Sequence, residues 1–224
     1  MAIAFEGYCT QTGDFVSSLT QTLNAGSNPD VLVLVWAITD RGSATTISSA
    51  TWNGNAMTAC TAMSSTLSGF DGRLFYLYSA TGGSHSVQVT YSDGNTKPKF
   101  LAVAYSGVNS STPLENQANF EYQSSSAPSQ SVTSASGDLA VMIAAYTNRT
   151  AVAPTAPATE NFDALLGSST FYGYEWDSPG TGGSTTIAGT VSGGTAEIWG
   201  SMLSIKAAGG GAVSTKKILT LGVG

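Results

Sequence analysis

The segment YGYEWDS, residues 172–178, gathers the most chemically able side chains of this 224-residue chain. On a strand, residues two apart share a face. Glu175 and Asp177 would then stand on one side, with Tyr172, Tyr174 and Trp176 on the other. Two carboxyl groups about 5–9 Å apart can do acid–base work on a glycosidic bond. Aromatic rings beside polar groups can instead hold a sugar without cleaving it, so Tyr172, Tyr174 and Trp176 are the candidate glycan contacts. The plainer expectation is a strand with an aromatic core face and a solvated acidic face.

Other chemistry is sparse. His85 is the one histidine, and a serine–histidine–aspartate triad would have to be built on it. No G-x-S-x-G nucleophile elbow occurs. Gly82-Gly83 before it predicts an exposed turn for His85. One histidine with Cys9 and Cys60 does not make a zinc set. The aspartates lack the dense spacing of a calcium loop. No catalytic, cofactor-binding or metal-ligating residue is assigned, and no enzyme activity is expected.

The elements that would position these residues read as strands. Short apolar runs are bounded by Gly, Ser, Asn and Asp. Residues 86–91, SVQVTY, alternate cleanly. VLVLVWAI, FLAVAY and LAVMIAAY are apolar on both faces, as central strands covered on both sides would be. Asn53-Gly54 after Trp52 is a strong hairpin turn signal, and Asp71-Gly72 and Asp93-Gly94 read the same way. Trp52 itself is expected in the core. A helical period fails throughout, with one short turn expected over Thr159–Leu166. The fold class is all-β, an antiparallel, jelly-roll-like β-sandwich.

A repeat overlies this pattern. DVLVLVWAIT (30–39) resembles DLAVMIAAYT (138–147). GGSHSVQVTYS (82–92) resembles GGSTTIAGTVS (182–192), and KFLAVAYSGV (99–108) parallels EIWGSMLSIKA (197–207). The halves, about 15–108 and 130–207, are expected to pool their strands in one sandwich domain over residues 1–207. The polar stretch 109–131 would cross over one end. Beyond it all, Gly209, Gly210 and Gly211 form a hinge. KKILTLGVG then reads as a strand whose Ile218, Leu219 and Leu221 either add to a neighbour's sheet edge or fold back on their own domain.

Charge narrows the function classes. Charged residues are 10% and the net charge is −6, with Lys216-Lys217 the one adjacent cation pair, which argues against tracking a nucleic-acid backbone. The longest apolar run, Val31–Ile38, is far short of the roughly 20 residues of a membrane helix, so no membrane span is expected. MAIAFEGYCTQTG has no basic n-region, apolar h-region or cleavage site, so synthesis in the cytoplasm without a leader is expected. Free thiols at Cys9 and Cys60 fit that setting. A bond between them stays open if the first strand lies beside the strand of Cys60.

DVLVLVWAIT, the TWNG turn (51–54) with AMT, LFYLYSATGGSHSVQVTYS, AVAYSGVNSSTPLE (102–115) and DLAVMIAAYT follow one another in a recognisable order. That order, over about residues 15–207, resembles a β-sandwich family of phage structural and bacterial surface proteins. The resemblance implies a jelly-roll-like fold and a structural or adhesive role, and brings no catalytic motif. The expectation is a virion protein, a capsid decoration or head protrusion subunit released in particles by lysis. It would form homo-oligomers and bind a major capsid or other virion protein through the arm. The other expectation is a carbohydrate- or receptor-binding module of a tail fibre or surface adhesin, with Tyr172, Tyr174 and Trp176 exposed.

Overall fold

The structure, a computed structural model, describes residues 2–40, 46–64, 70–79, 81–92, 97–147, 152–166 and 171–209. Among these, all regular structure is strand. The first half comprises β1 (Ala4–Thr12), β2 (Ser18–Asn24), β3 (Val31–Asp40), β4 (Ile47–Trp52), β5 (Asn55–Ala56), β6 (Thr58–Ser64), β7 (Phe70–Ser79), β8 (Ser84–Tyr91) and β9 (Lys99–Ser106). The second comprises β10 (Leu114–Ser125), β11 (Ser129–Ser134), β12 (Leu139–Thr147), β13 (Val152–Pro154), β14 (Thr159–Leu165), β15 (Phe171–Pro179), β16 (Gly183–Val191) and β17 (Ala196–Ile205).

These strands form antiparallel sheets in the orders β1-β9-β3-β7-β6, β2-β8-β4-β5, β10-β17-β12-β15-β14 and β11-β16-β13. Three apolar cores separate them. Val33, Val35, Trp52, Val87 and Phe100 fill the space between the two sheets of the first half. Met142, Tyr174, Trp176, Ile187 and Met202 do the same in the second. Between the two five-stranded sheets lies a third core that includes Leu32, Leu34, Trp36, Leu101, Ile143, Trp199 and Leu203. The molecule is therefore a four-layer stack. The five-stranded inner sheets meet face to face along a seam, and a smaller outer sheet covers the far side of each.

Each half thus builds its own pair of sheets, where a shared pair was expected. The apolar pattern marks no strand at β1, β10, β13 or β14, and these complete the two pairs of sheets. Much of β10 is polar, and it holds its place by main-chain pairing with β17. The halves have the same topology. β1, β2, β3, β4, β6, β7, β8 and β9 correspond in sheet position to β10, β11, β12, β13, β14, β15, β16 and β17, with β5 extra. All three sequence pairings of the repeat fall on corresponding strands.

One pairing is out of phase. In β3, Leu32, Leu34, Trp36 and Ile38 face the seam, while in β12 Val141, Ile143 and Ala145 do. Matching Asp30 to Asp138 places Leu32 on Ala140, which packs in the other core. The two aspartates also differ in role. Asp30 is exposed, whereas Asp138 is buried and accepts a 3.0 Å hydrogen bond from the Ala207 amide. A strand apolar on both faces carries no alternation to fix its phase.

Three local expectations are corrected. Thr159–Leu166 is no helix: its first seven residues are β14, which pairs with β15 and turns Phe162 and Ala164 into the seam. Asp71-Gly72 is not a turn but lies within β7, because the Trp36 ring occupies the space of a Gly72 side chain, 2.4 Å from where its Cβ would be. Asn53-Gly54 does form the β4–β5 hairpin, with φ of 49° and 76°, but Asp93-Gly94 lies outside the described residues.

Candidate functional site

β15 alternates as its sequence demands, yet neither face meets water as a binding site would. Tyr174 and Trp176 are fully buried in the second core, and Tyr172 is half-buried, stacked on Tyr146 with ring centroids 5.1 Å apart. Trp176 fits because β16 carries Gly189, whose Cβ would fall 2.3 Å from the indole. The indole N–H donates to Glu160 Oε2 at 3.0 Å. The exposed ring faces expected of a glycan platform are therefore absent at Tyr174 and Trp176. Strand alternation predicts that these rings share a face, but the outer sheet that covers them follows from long-range pairing alone.

The acidic face points into the seam. Glu175 is fully buried. Its Oε1 accepts from the Tyr105 hydroxyl of β9, across the seam, and its Oε2 accepts from Asn161 Nδ2 at 2.8 Å. The same Asn161 nitrogen donates to Asp177 Oδ2 at 2.7 Å. Asn161 sits where the β14–β15 register shifts, between Glu160 and Phe162. Such a bulge re-aims a side chain, and here the amide reaches both carboxyl groups.

Burial pushes the Glu175 carboxyl up to about 8, and the nearby Asp177 charge adds to the rise. Asp177 and Asp163 are also raised, chiefly by burial, Asp163 to about 6. Tyr105 is raised well above the phenol range by burial and by the Glu175 carboxyl. The raised value favours the protonated form of Glu175, whose carboxyl links the two halves through Tyr105 and Asn161. A catalytic carboxyl must reach a substrate; this one reaches Tyr105 and Asn161. Sequence reasoning did not point to Tyr105 or Asn161, since their proximity to Glu175 arises only when the sheets stack.

The other candidates disperse. His85 lies in β8 rather than in a turn, half-buried, with Nε2 3.1 Å from the Gly82 carbonyl and its ring edge-on to Trp52. Cys9 and Cys60 are free and lie on β1 and β6, the opposite edges of one sheet, four strand spacings or roughly 19 Å apart. Burial raises their thiols to about 12 and 11. No group of three or more His, Cys, Asp or Glu among the described residues could hold a metal ion. A cavity of about 230 Å³ beside Ile47, Met63, Asp71 and Arg73 is small for a ligand site. Of the arm, Gly209 is exposed with φ 75°; Gly210, Gly211, Ile218, Leu219 and Leu221 lie outside the described residues.

The outer sheets present a feature that sequence reading missed. Their strands, β2, β4, β5 and β8 in one and β11, β13 and β16 in the other, contain no Asp, Glu, Lys or Arg. In the first, inward Leu19, Trp52, Val87 and Val89 alternate with outward Thr20, Thr51, Ser86 and Gln88, and Thr20, Gln88 and Thr51 form one cross-strand row. In the second, Ser131 and Thr186 pair outward, their hydroxyls 2.7 Å apart. The signal was present as Ser/Thr/Gln alternation, but only topology gathers it onto the two outermost layers.

Comparison with protein-family models, curated proteins and solved structures returned no match.

Proposed function

We propose that this protein is a structural subunit of a virion, a capsid decoration or head protrusion protein that packs against copies of itself and against a major capsid or other virion protein. The observation that carries the reading is the pair of charge-free, hydroxyl-rich faces on opposite sides of the stack. Subunits with a net charge of −6 repel one another. A neutral polar face lets them approach without that repulsion and without desolvating a charge. Each contact is weak, and repetition over a shell multiplies it through effective concentration. The buried carboxyl cluster and the three apolar cores act within the subunit as its frame. Burial of Tyr174 and Trp176 leaves the glycan-binding alternative without a platform.

Mass spectrometry of particles purified from lysates should find the chain in amounts stoichiometric with the shell protein. Deleting residues 209–224 should leave a folded subunit that no longer incorporates. Absence from purified particles would remove the reading.

A further inference from the structure

Exchanging the two halves maps β1 onto β10 and β14 onto β6, so the two rims of the seam are equivalent positions, as in an isologous dimer. They are finished differently. At the β6/β10 rim, Asn119 Nδ2 donates to the carbonyls of Thr61 and Ala62 at 3.2 and 3.3 Å, capping an irregular stretch of the β6 edge. At the β1/β14 rim the contact is apolar, with the Tyr8 ring stacked on Phe162 at 4.4 Å. Tyr8 is 47% exposed and Leu165 48%, two of the three large apolar side chains so exposed among the described residues.

Phe162 and Ala164 point to the seam, so alternation sends Leu165 to the other face of β14. Apolar surface therefore flanks this strand on both sides. Among the described residues β14 pairs as a strand with β15 alone, although the Asp163 side chain accepts from the Tyr146 hydroxyl of β12, so the main chain of its other edge is available to a further strand. β14 carries Glu160 and Asp163 and no Lys or Arg. The chain supplies a complement beyond the described residues. Lys216 and Lys217 are the only charged residues of 210–224, followed by Ile-Leu-Thr-Leu. On a strand, Leu219 and Leu221 would share one side and Ile218 the other, matching an edge with apolar surface on both faces.

We infer that residues Lys216–Leu221 of a neighbouring copy add as a strand to the free edge of β14, with the lysines against its carboxylates and the leucines and isoleucine beside Tyr8 and Leu165. This rests on the assembly reading above and names its receptor. The test uses the full chain with a photoreactive phenylalanine derivative at position 219, mixed from ¹⁴N and ¹⁵N preparations. Mixed-isotope cross-links to residues 159–166 or to Tyr8 are expected. Leu165→Asp and Tyr8→Ser should each lower their yield roughly tenfold or more with the melting transition retained. Cross-links confined to one chain, cross-links elsewhere, or none would overturn the inference, as would yields indifferent to both substitutions. Cross-links at β14 in a protein absent from particles would sink the virion reading alone. Arm-dependent incorporation with cross-links elsewhere would sink the docking site alone.

Discussion

Burial favours a proton on Glu175 that an ordinary glutamate has released, and this should shape the pH response of the fold. Its folded value, about 8, lies above the ordinary 4.5. Between those values the unfolded chain is ionised while the folded chain keeps the proton. The Glu175 contribution to stability is therefore full below about 4.5 and is lost as pH rises through 8, by up to a few kcal/mol. Asp163, raised to about 6, adds a decline of the same sign at lower pH. Denaturant unfolding from pH 5 to 9 should show this fall, and Glu175→Gln should flatten it by keeping a neutral group against Tyr105 and Asn161. An unaltered slope in that variant would mean that the seam carboxyl is not the titrating group. Trp176→Ala should cost about 3–5 kcal/mol through the cavity left under Gly189; urea titration measures it. The alternation of YGYEWDS was legible from sequence. What covers each face was not, because cover comes from strands distant in the chain.

At the scale of elements, strands with a marked alternation were found and those without it were missed or misread. β8 and β16 were recognised because their apolar residues recur every second position. The polar side chains of β10 read as a connection, although main-chain pairing needs no apolar side chain. TENFDALL reads as a helical turn because an edge strand with a bulge breaks the two-residue period. The outer sheets allow a test of their role. Gln88→Lys and Thr186→Lys change exposed positions on the two outer faces and should alter stability by no more than about 0.5 kcal/mol. The same changes should reduce incorporation into particles or self-association by light scattering. Gly189→Val, by contrast, should unfold the protein, since its side chain would overlap Trp176 and the Ala153 carbonyl. Circular dichroism melting distinguishes the two outcomes.

At the scale of the molecule, the seam joins the two sandwiches through one shared core, so they should unfold together. Trp36, Leu101 and Tyr105 of the first half share a core with Ile143, Trp199 and Leu203 of the second. Lys99 also lies across the seam, its Nζ 4.7 Å from the Phe171 ring centroid. Calorimetry should therefore give a single transition with equal van't Hoff and calorimetric enthalpies, and Trp36→Ala should lower it without splitting it. Two separated transitions would show that each half folds alone. The chain's own pattern of apolar residues, turns and internal similarity determined that it is all-β, antiparallel and duplicated, because strand period and turn chemistry are local. Tertiary structure alone decided that the halves stack in four layers, that Glu175 meets Tyr105, and that the neutral strands end on the outside. Those outcomes depend on which strand faces which, and a strand buried on both sides records no preference between its faces.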